Sequence, residues 1–264
     1  MAAFDTKASA ALIDALTAIA ARAATAIRQS GAASLRHKAD GSPVTAADHA
    51  AEAVILQDLE RLAPAIPIIS EERCAEAQGQ AQPLQSGIYF LVDPLDGTRE
   101  FIAGRDEFAV NIALIELGQP ILGVIAAPAA DLAWRGVVGR GAERMTLSDQ
   151  SGRIAIRTRP RPPQPVIMIS RSHLDPGTKA YLADRSQASA VSCGSSIKFC
   201  RIAEGNADLY PRLAPTRDWD VAAGHAIVVA AGGDIRRADG SSLVYGSPDG
   251  LIPDFIARGD PSQP

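Results

Sequence analysis

The most constraining feature of the sequence is an apolar run that stops at two carboxylates. Residues 88–92 read IYFLV and are followed by Asp93 and, three positions later, by Asp96. A short run of β-branched, aromatic and aliphatic residues is typical of a buried strand. Gly97 then allows the backbone to turn, and Thr98 has a side chain that can cap a helix. The pattern predicts a strand that ends in a pair of carboxylates, with a helix beginning directly after it.

The end of this strand has the chemistry of a metal and phosphate site. Asp93 and Asp96 would be costly to bury without a cation, because burying an isolated charge carries a large desolvation penalty. Carboxylate oxygens are the ligands that Mg²⁺ prefers, and a helix N-terminus attracts a phosphate group. We therefore predict that Mg²⁺ and a phosphate bind together at this strand end, as in a metal-dependent phosphatase.

Three other acidic segments lie at predicted element ends, where ligands of α/β proteins commonly bind. Asp48 is at the start of a helix, Glu71 and Glu72 follow a short strand, and Asp220 precedes a late helix. Each has a simpler explanation, because Asp48 and Asp220 are also typical helix caps and paired glutamates are usually exposed. A two-metal phosphoryl-transfer site needs several carboxylates, however, and the acidic segments together supply them.

Hydrophobic periodicity divides the chain into helices and strands. Helices are predicted at 5–29, 46–62, 176–184, 195–204 and 219–231. Strands are predicted at 66–69, 88–92, 108–117, 121–128, 134–138, 153–157, 166–170 and 207–213. The intervening 31–43 is predicted to be a mobile loop and 73–87 a polar insertion. Because strands and helices alternate in the second half, the expected class is α/β, with an α+β N-terminal half.

A proline-rich segment is the best candidate for a linker. Residues 159–165 read RPRPPQP, and four prolines in seven residues prevent regular structure. We therefore predict an N-terminal α+β metal-binding domain at 1–158 and a C-terminal α/β substrate domain at 159–264.

Composition restricts the partners and the compartment. The net charge of −4 and the absence of a basic run argue against nucleic acid as a partner. The three cysteines are irregularly spaced, which indicates reduced thiols in the cytoplasm rather than a disulfide framework. The N-terminal segment lacks the pattern of a signal peptide, and no stretch is expected to reach transmembrane length. Peripheral association with the inner membrane and the oligomeric state stay open.

The acidic segments resemble, in type and order, the signatures of the inositol monophosphatase superfamily. The family motif Asp-Pro-x-Asp-Gly-Thr-x-x-Phe is matched at 93–101, and Trp-Asp-x-Ala-Ala is matched at 219–223. The upstream Val-Thr-x-Ala-Asp segment is matched at 44–48, and the Glu-Glu pair at 71–72. The resemblance implies a layered αβαβα sandwich and metal-dependent phosphatase activity.

Within this superfamily the sequence is most similar to the CysQ-type 3′(2′),5′-bisphosphate nucleotidases. The matching segments are Thr-Arg-Glu-Phe at 98–101, Phe-x-Val-Asn-Ile-Ala-Leu-Ile at 108–115, Gly-Ser-Ser-x-Lys-Phe-Cys at 194–200 and Tyr-Pro-Arg at 210–212. The resemblance implies hydrolysis of 3′-phosphoadenosine 5′-phosphate to AMP and phosphate. It also implies a small phosphorylated nucleotide as the partner.

The resemblance also assigns roles to the metal and water ligands. It implies that two or three Mg²⁺ ions are held by Glu71, Asp93, the carbonyl of Leu95, Asp96 and Asp220. Thr98, paired with Asp48, would help Glu71 to orient the attacking water.

A second group of residues would bind the substrate. Gly97 and Thr98 would offer backbone N–H groups to the scissile phosphate, beside the metal ligands Glu71, Leu95, Asp96 and Asp220. Glu204 would lie near the nucleoside. The second phosphate would be held by Ser195, Lys198 and Arg212, with Arg171 and His173 nearby.

Two alternatives to the nucleotidase stay open. One is an inositol or sugar-phosphate monophosphatase of the same superfamily, which would not need the second phosphate site at Lys198 and Arg212. The other is a non-catalytic module that senses a nucleotide or a metal. How an adenine would be held also stays open, because only 5% of the residues are aromatic.

Overall fold

The computed structural model describes residues 6–31, 35–38, 40–76 and 87–262. The helices are α1 (Thr6–Ser30), α2 (Ala46–Leu62), α3 (Glu71–Glu76), α4 (Thr98–Ile102), α5 (Pro176–Ala183), α6 (Ile197–Ala203) and α7 (Ala222–Ala230). The predicted helices therefore form with small shifts at their ends.

Most strands in the first half form one seven-stranded sheet. Its strands are β3 (Ile68–Ser70), β4 (Ile88–Asp96), β5 (Ala109–Glu116), β6 (Gln119–Ala127), β7 (Leu132–Val137), β8 (Gly141–Thr146) and β9 (Ile154–Ile156). They neighbour one another in chain order, with a parallel β3–β4 pair and antiparallel pairs elsewhere.

The second half contributes a five-stranded sheet of mixed direction. Its strands are β10 (Val166–Ser170), β11 (Ser189–Cys193), β12 (Leu209–Arg212), β14 (Asp234–Arg236) and β16 (Phe255–Arg258). Their order across the sheet is β11-β10-β12-β16-β14. Two short antiparallel pairs lie outside both sheets, and they join β1 (Arg36–His37) to β2 (Pro43–Val44) and β13 (Thr216–Arg217) to β15 (Leu251–Ile252).

Helices cover both faces of the seven-stranded sheet, which explains why its central strands are apolar throughout. Phe90 and Val92 belong to the core shared with α1 and α2, whereas Leu91 and Ala113 belong to the core shared with α6 and α7. This division follows from the alternation of side chains along a strand. α6 and α7 also pack on the second sheet, and α5 packs on β12. The expected αβαβα sandwich is confirmed.

Two glycines let α7 approach the first sheet closely. A Cβ atom at Gly123 in β6 would lie 2.4 Å from the carbonyl oxygen of Ala223, and one at Gly136 in β7 would lie 2.8 Å from the Cβ of Ala230. Such distances are not tolerated in a packed core, so larger residues would push the helix away. The close contact fixes α7, and with it Asp220 two residues before the helix, against the sheet.

The structure differs from the expectations in several places. Strands β8, β11 and β13 to β16 and the short helix α3 were not predicted; β8, for example, has the sequence GAERMT, which lacks a clear apolar pattern. Residues 35–38 and 40–43 contribute to the β1–β2 hairpin where a loop was expected. Of the predicted polar insertion, 77–86 lies outside the described residues. Each large sheet falls within one predicted domain, and the boundary at 158/159 stays a prediction.

Helix α1 contradicts the expectation that no stretch reaches transmembrane length. Its segment Ser9–Ser30 is long and apolar enough to cross a membrane by length and composition. Alanine accounts for much of this apolar character, and Leu16, Ala23 and Ile27 are buried in the core beside the sheet. A helix that packs in a protein core satisfies the same criterion.

Replacing His225 with Asn should make the fold less sensitive to acid. Burial lowers the pKa of His225 from 6.5 to about 4. The contribution of the neutral His225 ring to the stability of the fold is therefore complete above pH 6.5. It is lost as the pH falls towards 4, because the unfolded chain binds a proton that the folded chain does not. Between pH 7.5 and pH 4.5 we expect this residue to lower the free energy of unfolding by about 2 to 3 kcal/mol, measured by urea denaturation at the two pH values.

The Asn amide can replace the ring Nδ1, which lies 3.0 Å from the hydroxyl oxygen of Tyr245. His49, an exposed histidine on α2, provides the control. His49→Asn should keep the wild-type loss of stability in acid. An equal loss in wild type and His225→Asn would show that His225 does not carry this effect.

Candidate active site

A cleft of about 1060 Å³ lies beside the end of β4. Segments from both halves of the chain line it: the β1–β2 hairpin, the start of α3, the β4–α4 turn, the loop before α6 and the segments at 212–221 and 246–251. Ligand sites of α/β proteins commonly lie at such strand ends. The cleft therefore brings together the acidic segments that are far apart in the sequence.

The end of β4 is irregular, and this irregularity places its two aspartates. The pairing of β4 with β5 shifts register between Asp93 and Asp96. The backbone N–H of Leu95 donates to Asp93 Oδ1 at 3.0 Å. Gly97 then adopts φ = 94°, and a Cβ there would lie 2.9 Å from the carbonyl oxygen of Glu107. Only glycine fits this turn, which starts α4 immediately after the carboxylates.

Four carboxylates at this end of the cleft repel one another. Burial, followed by the charges of Glu71 and Asp96, raises the pKa of Asp93 well above its usual value. Burial and the charge of Asp220 raise the pKa of Asp96 to about 6. Burial is also the main cause that raises the pKa values of Glu71 and Asp220. The site therefore holds more negative charge than its surroundings neutralise.

These residues fit a hard divalent cation by the chemistry of their donors. Glu71, Asp93, Asp96 and Asp220 offer carboxylate oxygens, and the carbonyl of Leu95 adds a fifth oxygen ligand of the kind that Mg²⁺ accepts. Excess buried negative charge is also what a cation would neutralise. Among the described residues, no three acidic, histidine or cysteine side chains are already grouped closely enough to hold a metal ion. The donor set is thus present, and binding requires the side chains to converge.

Thr98 and Asp48 form the hydrogen-bonded pair that the sequence resemblance implies. The Thr98 hydroxyl lies 3.0 Å from Asp48 Oδ1 and 3.1 Å from the carbonyl oxygen of Leu95. Asp48 is buried at the start of α2, and its other oxygen accepts hydrogen bonds from the N–H and hydroxyl of Thr45 at 2.8 and 2.6 Å. Asp48 is thus both part of a helix cap and a partner of the cleft residue Thr98.

Lys38 provides a countercharge to the acidic end. Its ammonium group lies 2.6 Å from Glu71 Oε1 and 2.7 Å from Glu72 Oε1. Burial opposes the charged form of Lys38, but the two glutamates outweigh it, and the pKa of Lys38 is raised. One ammonium group therefore binds two carboxylates at the rim of the site.

The opposite end of the cleft is lined by cations. Lys198 in α6 is buried, and its ammonium group donates to the carbonyls of Cys193 at 3.2 Å and of Ser195. It also lies 5.1 Å from the centre of the Tyr210 ring, a favourable cation–π distance. Arg212 lines the same end, and its buried Nε has no hydrogen-bond partner among the described residues. Two cationic groups are thus available to an anion.

Arg99 extends this cationic end, and a histidine lies beside it. His173 and Arg99 line the cleft, and burial followed by the charges of Arg212 and Arg99 lowers the pKa of His173. Arg171 instead forms a two-point ion pair with Glu107, with both N–O distances at 2.6 Å, and is not among the residues that line the cleft. The second-phosphate residues implied by the sequence are therefore brought together, except for Arg171.

Glu204, which was expected near the nucleoside, is not among the residues that line the cleft. Its carboxylate accepts hydrogen bonds from Trp134 Nε1 at 2.8 Å and Asn206 Nδ2 at 2.9 Å. It also forms ion pairs with Arg144 and Arg201, each at 3.2 Å. The residue that follows α6 thus faces β7 and β8, and these partners hold it away from the cleft.

Lys38 and Arg99 are among the cleft residues to which sequence reasoning gave no role. Arg99 directly follows Thr98, so its place beside the phosphate-binding turn could have been found. Lys38 lies in a segment predicted as a loop, and no local pattern indicates that it pairs with Glu71 some thirty positions later.

The layers and the cleft together define a class of protein. A carboxylate-rich cleft beside a glycine turn and a helix start, within an αβαβα sandwich, has the architecture of a metal-dependent phosphatase. The family model described as the inositol monophosphatase family matches residues 8–259. The chain belongs to this family.

Individual relatives agree with this assignment. A protein named 3′(2′),5′-bisphosphate nucleotidase CysQ from Shigella flexneri is 48% identical over 209 residues, which cover 79% of this chain and 81% of the relative. The protein of the same name from Salmonella typhimurium is 49% identical, with the same coverage. The crystal structure of CysQ from Bacteroides thetaiotaomicron superimposes with a TM-score of 0.76 at 36% identity, covering 93% of this chain and 97% of that one.

Replacing Asp96 with Asn should stabilise the metal-free protein and remove its response to metal. At pH 7.5 the carboxylate is charged although its pKa is raised, so its charge opposes folding by about 1 to 3 kcal/mol. The Asn side-chain oxygen can still accept the hydrogen bond from the Ser196 N–H, which is 2.5 Å long in the wild type. We expect a higher melting temperature than wild type in EDTA and no increase on adding Mg²⁺.

Asp106→Asn, at an exposed carboxylate, is the matched control and should respond to Mg²⁺ as wild type does. A metal-induced increase in the melting temperature of Asp96→Asn equal to that of wild type would exclude Asp96 as a ligand.

Proposed function

We propose that this protein is a Mg²⁺-dependent 3′(2′),5′-bisphosphate nucleotidase that hydrolyses 3′-phosphoadenosine 5′-phosphate to AMP and phosphate. The names of the relatives at 48% and 49% identity support this substrate class. We also propose that two or three Mg²⁺ ions bind and that the enzyme acts in the cytoplasm, where its three cysteines would stay reduced.

The observation that carries the proposal is the opposite charge of the two ends of the cleft. The acidic end contains the carboxylates that fit divalent cations, and the basic end contains Lys198, Arg212 and His173. The two ends adjoin at Asp96, which accepts a hydrogen bond from the N–H of Ser196 in the loop before α6. A substrate with two phosphates can therefore place one at the metal site and the other among the basic side chains.

The same observation disfavours the other enzymatic candidate. An inositol or sugar-phosphate monophosphatase has one phosphate to bind, and the metal site alone would serve it. The buried ammonium group of Lys198 would then lack an anion, although burying a charge is expensive unless it is paired. A second anionic group on the substrate accounts for that burial.

Different residues of the cleft have different roles in the proposed reaction. The metal ions would neutralise the phosphate charge and lower the pKa of a bound water. The Thr98 hydroxyl donates towards Asp48, so its lone pairs can accept a hydrogen bond from the attacking water, which Glu71 would orient from the other side. Asp48 is fixed by Thr45 and cannot turn away. Backbone N–H groups of Gly97 and Thr98, at the turn into α4, would bind the phosphate oxygens.

Replacing Arg212 with Ala should weaken binding of a bisphosphate much more than binding of a monophosphate. Loss of one charge-assisted hydrogen bond costs about 1.5 to 3 kcal/mol, which corresponds to a KM increase of roughly ten- to a hundredfold. We expect this increase for 3′-phosphoadenosine 5′-phosphate and a change of less than about threefold for adenosine 3′-phosphate, which lacks the second phosphate.

Arg217 lines the same cleft, but its guanidinium group donates to the carbonyl of Asp249 at 2.9 Å. Arg217→Ala removes the same charge and should change KM for both substrates alike. Equal effects of Arg212→Ala on the two substrates would refute the second-phosphate assignment.

Substrate choice can be measured directly by phosphate release with Mg²⁺. We expect faster release from 3′-phosphoadenosine 5′-phosphate than from inositol 1-phosphate at equal concentrations, because only the nucleotide offers an anion to the basic end. Faster release from inositol 1-phosphate would overturn the substrate assignment but keep the metal site. No release from either substrate would favour the non-catalytic sensing module.

A further inference from the structure

We propose that Lys38 is a tethered cation that competes with the divalent metal for Glu71 and so sets the metal concentration that the site requires. The proposal rests on the metal site of the proposed function and adds a residue whose role opposes metal binding. It is carried by the contacts of Lys38 and by the hairpin that holds it.

The first observation is that the ammonium group of Lys38 binds directly to a metal-ligand candidate. Its Nζ lies 2.6 Å from Oε1 of Glu71, and the Lys38 side chain is only 10% exposed. A Mg²⁺ ion could bind either oxygen of Glu71, at about 2.1 Å. On either oxygen it would lie within about 4 to 6 Å of the ammonium group, and the two cations would repel strongly in a cleft of low dielectric. Each cation therefore weakens binding of the other at Glu71.

The second observation is that Glu72 offers Lys38 an alternative partner. Glu72 is buried, with its Oε1 2.7 Å from the same ammonium group, and Lys38 is the cation that it contacts in the described part of the chain. Its side chain is not among those that line the cleft. When a metal occupies Glu71, Lys38 can keep its bond to Glu72. The displaced ammonium group thus stays paired and close to the site.

The third observation is that the segment carrying Lys38 belongs to neither large sheet. Strands β1 and β2 pair only with each other within the described residues, and the turn is closed by hydrogen bonds from Lys38 N to Ser42 O at 2.8 Å and from Gly41 N to Lys38 O at 2.9 Å. A small shift of this hairpin would break no hydrogen bond of either sheet. Lys38 can therefore move away from Glu71 at low cost.

Two consequences follow for a variant without the ammonium group. The metal-free protein loses the cation that partly neutralises its acidic end, so it becomes less stable. Metal no longer has to displace Lys38, so it binds more tightly. If Lys38 only held the hairpin in place, its replacement would lower the stability of the metal-free protein but would not tighten metal binding.

The experiment measures Mn²⁺ binding to metal-free protein by the electron paramagnetic resonance signal of the free ion, with Mg²⁺ as competitor. We expect Lys38→Met to bind Mn²⁺ roughly tenfold more tightly than wild type, as expected for loss of one competing ion pair of moderate strength. Its melting temperature in EDTA should fall, and the increase on adding metal should be larger than in wild type. Lys38→Arg keeps the charge and should bind Mn²⁺ within about threefold of wild type.

Lys38→Gln is a second variant in case Lys38→Met does not fold, since the glutamine amide can still donate to both glutamates. It too should bind Mn²⁺ more tightly. Lys179→Met, at an exposed lysine on α5, controls for the loss of one positive charge and should leave the affinity unchanged.

The outcomes separate this inference from the proposed function. Unchanged or weaker Mn²⁺ binding by both Lys38 variants would overturn the competition. Absence of saturable binding in wild type, or equal binding by wild type and Asp96→Asn, would overturn the metal site itself.

Discussion

The mutual repulsion of carboxylates at the end of β4 is the constraint on which the rest of the structure depends. Asp93 is buried at a strand end, beside other acidic side chains that face the same cleft. A fold can keep such charges together only if the surrounding elements hold them against repulsion. Gly123 and Gly136 bring α7 against the sheet, and the Thr45 cap fixes Asp48. The scaffold thus maintains an arrangement that electrostatics alone would disperse, and a cation is the natural means of stabilising it.

Lys38 pairs with Glu71 and Glu72, but the cations at the basic end of the cleft come from other elements than the acidic residues. The acidic end is built from strand and helix ends of the first sheet together with the start of α7. The basic end comes from the loop before α6 and the end of β12 in the second sheet. Lys198 contacts carbonyl oxygens and an aromatic ring, which are uncharged, so its positive charge remains available to an anion. A direct ion pair between the two ends would neutralise the charges that each end offers to a ligand. The ends are instead joined by the hydrogen bond from the uncharged Ser196 N–H to Asp96.

Local sequence patterns predicted much of the fold and the acidic end of the site. Helix α2 has the bounds that the periodicity predicts, and the apolar run at 88–92 is followed by the buried Asp93 and by Asp96, which lines the cleft. Strand β8 was missed because its burial is set by neighbouring strands rather than by its own composition. The partners of Glu204 outside the cleft could not be predicted, because a motif fixes the order of residues but not the direction in which each side chain points. The pairing of Lys38 with Glu71 depends on tertiary contacts that no local pattern encodes.

The division of the cleft between two sheets has a consequence for specificity. The turn at Gly97, where the scissile phosphate is proposed to bind, is packed so tightly that a Cβ atom there would lie 2.9 Å from the carbonyl oxygen of Glu107. At the basic end Lys198 is buried in α6, but Arg212 at the end of β12 is half-buried and His173 is exposed, so these two can be substituted with less disturbance of packing. Changes at Arg212 or His173 can therefore alter the second group that the substrate must carry while the carboxylates stay in place. The geometry of the metal end is fixed by the core, and the proposed choice of substrate can change at the two residues of the basic end that the core constrains less.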